Sequence, residues 1–224
     1  MRLSIIIPTL DEEKTLEATL EQALRIGDQV CVSDGGSSDS SLSIARNLGV
    51  DVVEGPAGRG GQLNRGAAAT DGDTLLFLHA DTRLPDNARL LIQAALEEGG
   101  PGGGFHARYD SGPRGLQSLG NWLIRRRTAW TRSPLGDQCQ FVRRDVFDKL
   151  GGFQDWPILE DLDFIRRLKR EGSVSLLDPP VITSARRFES QGVLRTTATN
   201  WLIWGLYFSG TRPEKLAELY RRIR

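Results

Sequence analysis

The chain has few of the features that usually announce a function. Its two cysteines, Cys31 and Cys139, stand far apart in 224 residues. This argues against a disulfide framework and points to reduced core thiols of a cytosolic protein. Cys31, in Val30-Cys31-Val32, has a buried-strand context. No apolar run approaches the roughly 20 residues that span a bilayer. No signal peptide is expected, because Arg2-Leu3-Ser4-Ile5 leads straight into a strand. Lys+Arg and Asp+Glu number 29 each, so no strong overall field draws the chain to nucleic acid. Zinc-ligand spacing, a P-loop, a Ser-His-Asp signature, internal repeats and long low-complexity segments are all missing. What remains is an ordinary globular composition, 39% hydrophobic and 26% charged. It suits one domain, or one domain with an appendage, and is long enough for a sizeable core.

The first half alternates strand and helix signals. Residues 3–7 are apolar and β-branched and end at Pro8-Thr9, the pattern of a buried parallel strand meeting a loop. Thr9-Leu10-Asp11-Glu12 has the spacing of a capping box, and Leu16, Leu20, Ala23 and Leu24 follow at helical spacing. Residues 29–33 form a second strand, ending at Asp34-Gly35-Gly36-Ser37-Ser38-Asp39-Ser40. This loop has two readings. It is a well-capped turn into a helix bearing Leu42, Ala45 and Leu48, or Asp34 accepts a hydrogen bond from a base or ribose. A third short strand covers residues 50–53. The glycine-rich loop Gly55 to Gly61 then opens a helix with small residues. Such a loop is a plausible anion cradle, with Arg59 or Arg65 pairing with phosphate, although glycine-rich loops are common. Three βα units in a row imply a parallel sheet covered by helices.

The fourth strand, residues 74–78, carries the strongest chemical signal. It stops at His79-Ala80-Asp81-Thr82, and ligands in open α/β sheets collect at the carboxyl ends of strands. A lone Asp there suits a hard divalent cation that bridges to phosphate oxygens. The alternative is that Asp81 only caps the helix that follows, which starts near Pro85-Asp86 and carries Leu90, Leu91, Ala94 and Leu96.

Beyond residue 98 the texture changes. Gly99 to Gly104 reads as a flexible break, and Phe105 to Tyr109 alternates like an exposed-edge strand. Leu116, Leu119, Trp122 and Leu123 mark an amphipathic helix closed by Arg125-Arg126-Arg127, best read as a solvated end. Gly136 to Val142 is a loop entering a strand, and residues 144–150 a short helix ended by Gly151-Gly152. Glu160-Asp161 open a helix with Leu162, Ile165 and Leu168 on one face. Their carboxylates are either dipole complements or a general base in the cleft. Residues 174–177 form another strand and 181–183 one more. The tail has an aromatic cluster from Trp201 to Phe208, then an amphipathic piece. The cluster is suited to docking on the domain, on a second subunit or, with the basic chain end, on a lipid surface; protein docking is preferred.

Taken together, Ile5-Ile6-Ile7-Pro8-Thr9-Leu10-Asp11-Glu12-Glu13, Val32-Ser33-Asp34-Gly35-Gly36-Ser37-Ser38-Asp39, Asn64-Arg65-Gly66, His79-Ala80-Asp81, Gly151-Gly152-Phe153 and Glu160-Asp161 resemble the family 2 glycosyltransferases. The Leu78-His79-Ala80-Asp81-Thr82 and Gly136-Asp137-Gln138 variants are similar to a short soluble branch associated with radical-SAM and selenodomain proteins, or with arsenosugar biosynthesis. The resemblance implies the GT-A (nucleotide-diphospho-sugar transferase) fold, an α/β architecture with a mostly parallel central sheet flanked by helices and a helical C-terminal appendage. Residues 1–98 would be the nucleotide-sugar half, 99–190 the acceptor half and 191–224 the appendage. It also implies a nucleotide-sugar donor, usually UDP-linked, a divalent Mn2+ or Mg2+ ion, a hydroxyl acceptor and inversion at the anomeric carbon. Pro8, Thr9, Glu12 and Asp34 would line the nucleotide pocket, together with Arg59, Arg65, His79 and Ala80. Asp81 would match the last carboxylate of the DxD metal motif, and Asp161, beside Glu160, the catalytic base. Asp137, Gln138 and Arg187 would lie on the acceptor side, Arg187 within reach of the diphosphate.

Two departures stand out. The first DxD carboxylate is His79 here, which puts that position's ribose or metal contact in question. The Gln-x-x-Arg-Trp motif of processive members is missing, which argues against polymer synthesis. A nucleotidyltransferase is disfavoured because Pro8-Thr9-Leu10-Asp11-Glu12 stands where a glycine-rich basic signature belongs. A non-catalytic nucleotide-sugar binder is disfavoured by having both Asp81 and Asp161. The expected location is the cytoplasm, with peripheral contact at the inner membrane face and a homodimer through the aromatic segment as open alternatives.

Overall fold

A computed structural model describes residues 1–110, 114–185 and 192–223. The strands are β1 (Leu3–Thr9), β2 (Gln29–Asp34), β3 (Asp51–Glu54), β4 (Thr74–Phe77), β5 (Thr82–Arg83), β6 (Gly102–Tyr109), β7 (Phe141–Arg143) and β8 (Ser175–Thr183). The helices are α1 (Leu16–Ile26), α2 (Ser41–Asn47), α3 (Arg59–Ala68), α4 (Ala88–Glu97), α5 (Arg114–Thr131), α6 (Arg144–Leu150), α7 (Glu160–Leu168), α8 (Val193–Phe208) and α9 (Pro213–Ile223). One sheet runs β3-β2-β1-β4-β7-β6-β8-β5. Its first four strands are parallel; β7 is antiparallel to both β4 and β6.

The apolar strands are explained by burial on both faces. Successive side chains alternate across the sheet. Ile5, Ile7, Leu76 and Leu78 therefore join the core under α1, α2 and α4. Ile6, Leu75 and Phe77 join a second core under α3, α6 and α7. Phe77, Phe147, Phe153 and Phe164 cluster there with ring centroids 4.4 to 6.4 Å apart. Leu162, Ile165 and Leu168 are all buried, as their helical spacing requires. Trp204 and Tyr207 of α8 pack against this second core.

Several expectations are corrected. Thr9 caps no helix: it is the last residue of β1, and α1 begins at Leu16. The loop between them is tied to the β2–α2 loop instead, with Ser38 N donating to Asp11 Oδ1 (2.8 Å) and Glu13 N to Asp39 Oδ2 (3.0 Å). The arginine triplet does not close its helix; α5 continues to Thr131, and Arg125 makes two bonds of 2.9 and 2.8 Å to Asp178. Residues 175–177 and 181–183 belong to one strand, β8, with Val174 just before it. In α4 the buried face is Ala88, Ile92, Ala95 and Leu96, and Leu90 is exposed.

The largest correction concerns β6, which lies inside the sheet between β7 and β8. Gly102 and Gly103 are strand residues, not a flexible break. A Cβ on Gly102 would stand 2.3 Å from the Phe141 carbonyl oxygen, and one on Gly103 2.2 Å from that of Ser175. Glycine is required here because neighbouring backbones approach so closely. We expect Gly103→Ala to destabilise the protein by about 3 kcal/mol, at the upper end of overpacking costs. Gly205 lies inside α8 with open space around it. Gly205→Ala is expected to stabilise by about 0.5–1 kcal/mol. Urea denaturation of the two variants checks both signs.

His106, on β6, is only 7% exposed. Burial, with some help from Arg125, holds its pKa below the ordinary 6.5, although Asp178 opposes the shift. Folding therefore favours the neutral ring. That contribution is complete above pH 6.5 and is lost as the pH falls and the unfolded chain binds the proton first. His106→Leu is expected to flatten the acid side of the stability-versus-pH curve, relative to the parent, with little change above pH 7.

Candidate active site

The strand order places the topological switch between β1 and β4, from which the chain continues toward opposite edges of the sheet, to β2 on one side and to β5 on the other. A crevice at the carboxyl ends of these strands is where an open α/β sheet takes its ligand. Pro8 lies near the carboxyl end of β1 and Glu12 just beyond it, and His79 and Asp81 lie beyond β4.

The antiparallel strand completes the site. Leu76 pairs with Phe141, and Phe77 N donates to Gln140 O (2.9 Å). The 3-10 turn Gly136–Gln138 that leads into β7 therefore sits beside the segment leaving β4. Asp161, in the first turn of α7, accepts from Gly136 N (2.7 Å) and from Leu162 N (2.7 Å). A Cβ on Gly136 would lie 3.1 Å from His79 Nε2 and 3.2 Å from Asp161 Oδ2. His79 and Asp161 thus flank one small backbone unit, from segments far apart in the sequence.

The site is electrostatically mixed. Burial and the nearby Arg59 lower the His79 pKa to about 4, although Asp137, Asp81 and Asp161 all pull the other way. His79 is therefore neutral at physiological pH. Arg59 opens α3 and meets Glu160 at 3.3 Å. Burial works against its charge, but Glu160, Asp161 and Asp137 raise its pKa above the ordinary value. Glu160 is almost fully buried; burial raises its pKa, Arg59 opposes this and Asp161 adds to it. Tyr109, at the end of β6, donates its hydroxyl to Asp137. Only Asp137 of this pair was anticipated, since 28 residues separate the two and no local spacing joins them.

Other expected site residues make fastening contacts of their own. Thr9 is buried, and its carbonyl accepts from Gly35 N and Gln62 Nε2, both 2.9 Å. Asp34 is fully buried and accepts from Gly36 N (2.6 Å), Ser37 N (2.8 Å) and the Ser37 hydroxyl, so its hydrogen bonds follow the capped-turn reading. Arg65 donates to the carbonyls of Pro56 (2.9 Å) and Asp34 (3.3 Å). Ala80 is buried and its carbonyl accepts from Thr19 Oγ1 (2.9 Å). Gln138 is completely buried: its oxygen accepts from Leu135 N, Arg127 and Thr128, and its nitrogen donates to Phe105 O. Gln138 holds the turn in place from behind. Arg187 lies outside the described residues.

Gln62 was not anticipated. Its amide ties the ends of β1 and β2 together through Thr9 O and Ser33 O, and accepts from Gly58 N at the start of α3. The available signal was a polar residue on the buried face of that helix. Asn64 pairs at two points with the Phe153 backbone, both bonds 2.9 Å. Gly66 brings α3 down onto β1, where a Cβ would stand 2.4 Å from Ile6 Cγ2.

A helix-covered sheet of this order, with acidic and imidazole groups converging at its carboxyl edge, is the GT-A architecture of the glycosyltransferases. Residues 4–151 match the model of the family described as Glycosyl transferase family 2, and the chain belongs to that family. None of the curated proteins matches it in sequence. Among solved structures it is similar to glucosyl-3-phosphoglycerate synthase from Mycobacterium tuberculosis, in complex with Mn2+, UDP and phosphoglyceric acid. That match has 20% identity and a TM-score of 0.65, covering 94% of this chain and 79% of that one. It is also similar to the mannosyltransferase PcManGT from Pyrobaculum calidifontis, in complex with GDP-Man and Mn2+: 19% identity, TM-score 0.64, 98% and 68% covered. The third is S. aureus TarS 1–349: 21% identity, TM-score 0.60, 88% and 64% covered.

The Asn64 bridge holds the 151–159 segment against α3. Asn64→Ala leaves the Phe153 N–H and C=O without that partner, so a loss of about 1–3 kcal/mol is expected. Thermal denaturation, with limited proteolysis of the 151–159 segment, checks this.

Proposed function

We propose that this glycosyltransferase moves a sugar from a nucleoside-diphosphate donor, UDP-linked in the first instance, to an acceptor hydroxyl by single displacement with inversion. One observation carries the reading. His79 and Asp161 both border Gly136, within 3.2 Å of where its Cβ would stand, and Asp81, Asp137 and Asp161 all act electrostatically on the His79 ring. The solved relatives support the donor class, as they hold UDP or GDP-Man with Mn2+.

The residues at the β4 end fit a divalent ion. One carboxylate, Asp81, with a neutral imidazole at His79, suits Mn2+ or Mg2+ that takes its remaining oxygens from water and substrate phosphates. Among the described residues no group of three or more His, Cys, Asp or Glu forms a self-sufficient cage. When bound by Asp81 and His79, such an ion would supply positive charge beside the diphosphate. Arg59, fixed by Glu160 and partly exposed, adds a permanent cation on the same side. Pro8 and Glu12 border the nucleotide.

Asp161 is the base that takes the acceptor proton. Its two backbone N–H bonds hold the carboxylate in one orientation, and a carboxylate has about four acceptor sites, so capacity remains for a hydroxyl. Asp137, oriented by Tyr109, lies on the acceptor side. Residues 1–98 serve the nucleotide and 99–190 the acceptor, with 191–224 as the appendage.

Asp161→Asn is expected to keep nucleotide binding and to lose transfer about a hundredfold or more. Asp81→Ala is expected to weaken UDP binding in the presence of Mn2+ but not in its absence. Calorimetric titration of UDP with and without Mn2+ measures the second effect, and slow UDP-glucose hydrolysis followed by chromatography measures turnover. Equal UDP affinity of the parent with and without Mn2+ would sink the metal assignment. Undiminished turnover in Asp161→Asn, on the true acceptor, would sink the base.

A further inference from the structure

Two helices stand apart from the rest of the molecule in charge and in exposure. In sequence α5 and α8 carry Arg114, Arg125, Arg126, Arg127 and Arg195 and not a single Asp or Glu, although the chain as a whole is balanced. They also carry Trp122, Trp130, Trp201 and Trp204, four of the chain's five tryptophans. Most of this aromatic surface faces outward: Trp130 is 86% exposed, Phe208 58%, Trp201 57% and Trp122 52%.

The two helices make one continuous face. Trp122, Arg126 and Trp130 recur at four-residue spacing on α5, with the Arg126 guanidinium 5.1 Å from the centre of the Trp122 ring. Arg127 reaches across to α8 and lies 5.1 Å above Trp204. Trp130, Trp201, Trp204 and Phe208 line a cavity of about 360 Å³, with Arg166 and Lys169 of the α7 segment on its wall. Among the described residues no helix is long and apolar enough to cross a membrane.

We propose that this α5–α8 face docks on an anionic lipid bilayer. Charge complementarity selects that occupant. Tryptophan rings favour the headgroup level, and arginine beside them is attracted to anionic lipid. A second copy of the chain is a poor fit, because an isologous contact would set Arg126 and the cavity's Arg166 and Lys169 against their own copies, with no acid on α5 or α8 to pair them and Asp178 already taken by Arg125. The cavity wall includes Leu162, next to Asp161, so docking would hold the helix that opens the cleft close to the membrane surface. The inference rests on the exposed face alone and stands independently of the sugar-transfer reading.

The test uses the full chain with vesicles of phosphatidylcholine alone or mixed with phosphatidylglycerol. The parent is expected to sediment with the mixed vesicles and not with the neutral ones, with a blue shift of its tryptophan emission. Trp130→Ser combined with Trp201→Ser is expected to lower partitioning at least about tenfold, and Arg126→Gln about fivefold. Circular dichroism of each variant confirms that it folds; these side chains are exposed and outside the core. Equal partitioning to both vesicle types, none to either, or partitioning undiminished by the double tryptophan change overturns the proposal. So does a lipid-free dimer that the double change dissolves, which would give the face to a second copy. Retention on a soluble polyanion as strong as on vesicles, without the emission shift, also overturns it.

Discussion

The site depends on one reversal of strand direction. β7 runs against β4, so the turn that precedes β7 lies beside the segment that follows β4. In an all-parallel sheet the approach to the next strand would lie at the opposite edge. Here Gly136, Asp137 and the α7 carboxylate it binds arrive at the carboxyl edge, where His79 and Asp81 already stand. Residues about 80 apart in the chain, His79 and Asp161, meet at Gly136 because of that pairing. Gly136 is the hinge point of the arrangement, since a side chain there would crowd both His79 and Asp161.

Close backbone approach recurs as the means by which the layers are joined. Gly66 lets α3 lie on β1, Gly103 lets β6 lie against β8, and Gly152 sits under the Asn64 side chain. Side-chain amides then lock what the glycines bring together. Gln62 joins β1, β2 and α3, Asn64 joins α3 to the 151–159 segment, and Gln138 fixes the turn before β7. Buried amides of this kind are costly unless fully bonded, so each one specifies a single arrangement of its neighbours. The catalytic edge is therefore held by polar fasteners, while the bulk of the stability lies in the two apolar cores on either side of the sheet.

Motif residues consequently divide into two kinds. In the proposed function Asp81, Asp161, His79 and Arg59 present charge or a ligating atom to the substrates. Asp34, Arg65, Thr9 and Gln138 turn their polar atoms inward to backbone groups of adjacent loops. Both kinds have similar chemistry on paper, and a polar side chain after a strand looks equally suited to a ligand or to a loop. Their partners distinguish them. The expected exposed-edge strand over 105–109 illustrates the same limit: alternation signals a strand, but position in the sheet decides whether it meets solvent.

Local patterning by itself determined that this chain alternates strands and helices, that Ile5 to Ile7 and Leu75 to Leu78 are buried on both faces, and that acids follow the strand ends. Those features are set by side-chain periodicity and by residues adjacent in the chain. Tertiary structure alone decided that β6 is interior, that Tyr109 meets Asp137, and that α5 and α8 bring their arginines and tryptophans together. Each of these depends on contacts between segments far apart in sequence, where the nearest neighbour is chosen by packing of the whole sheet and leaves no period or spacing to be read.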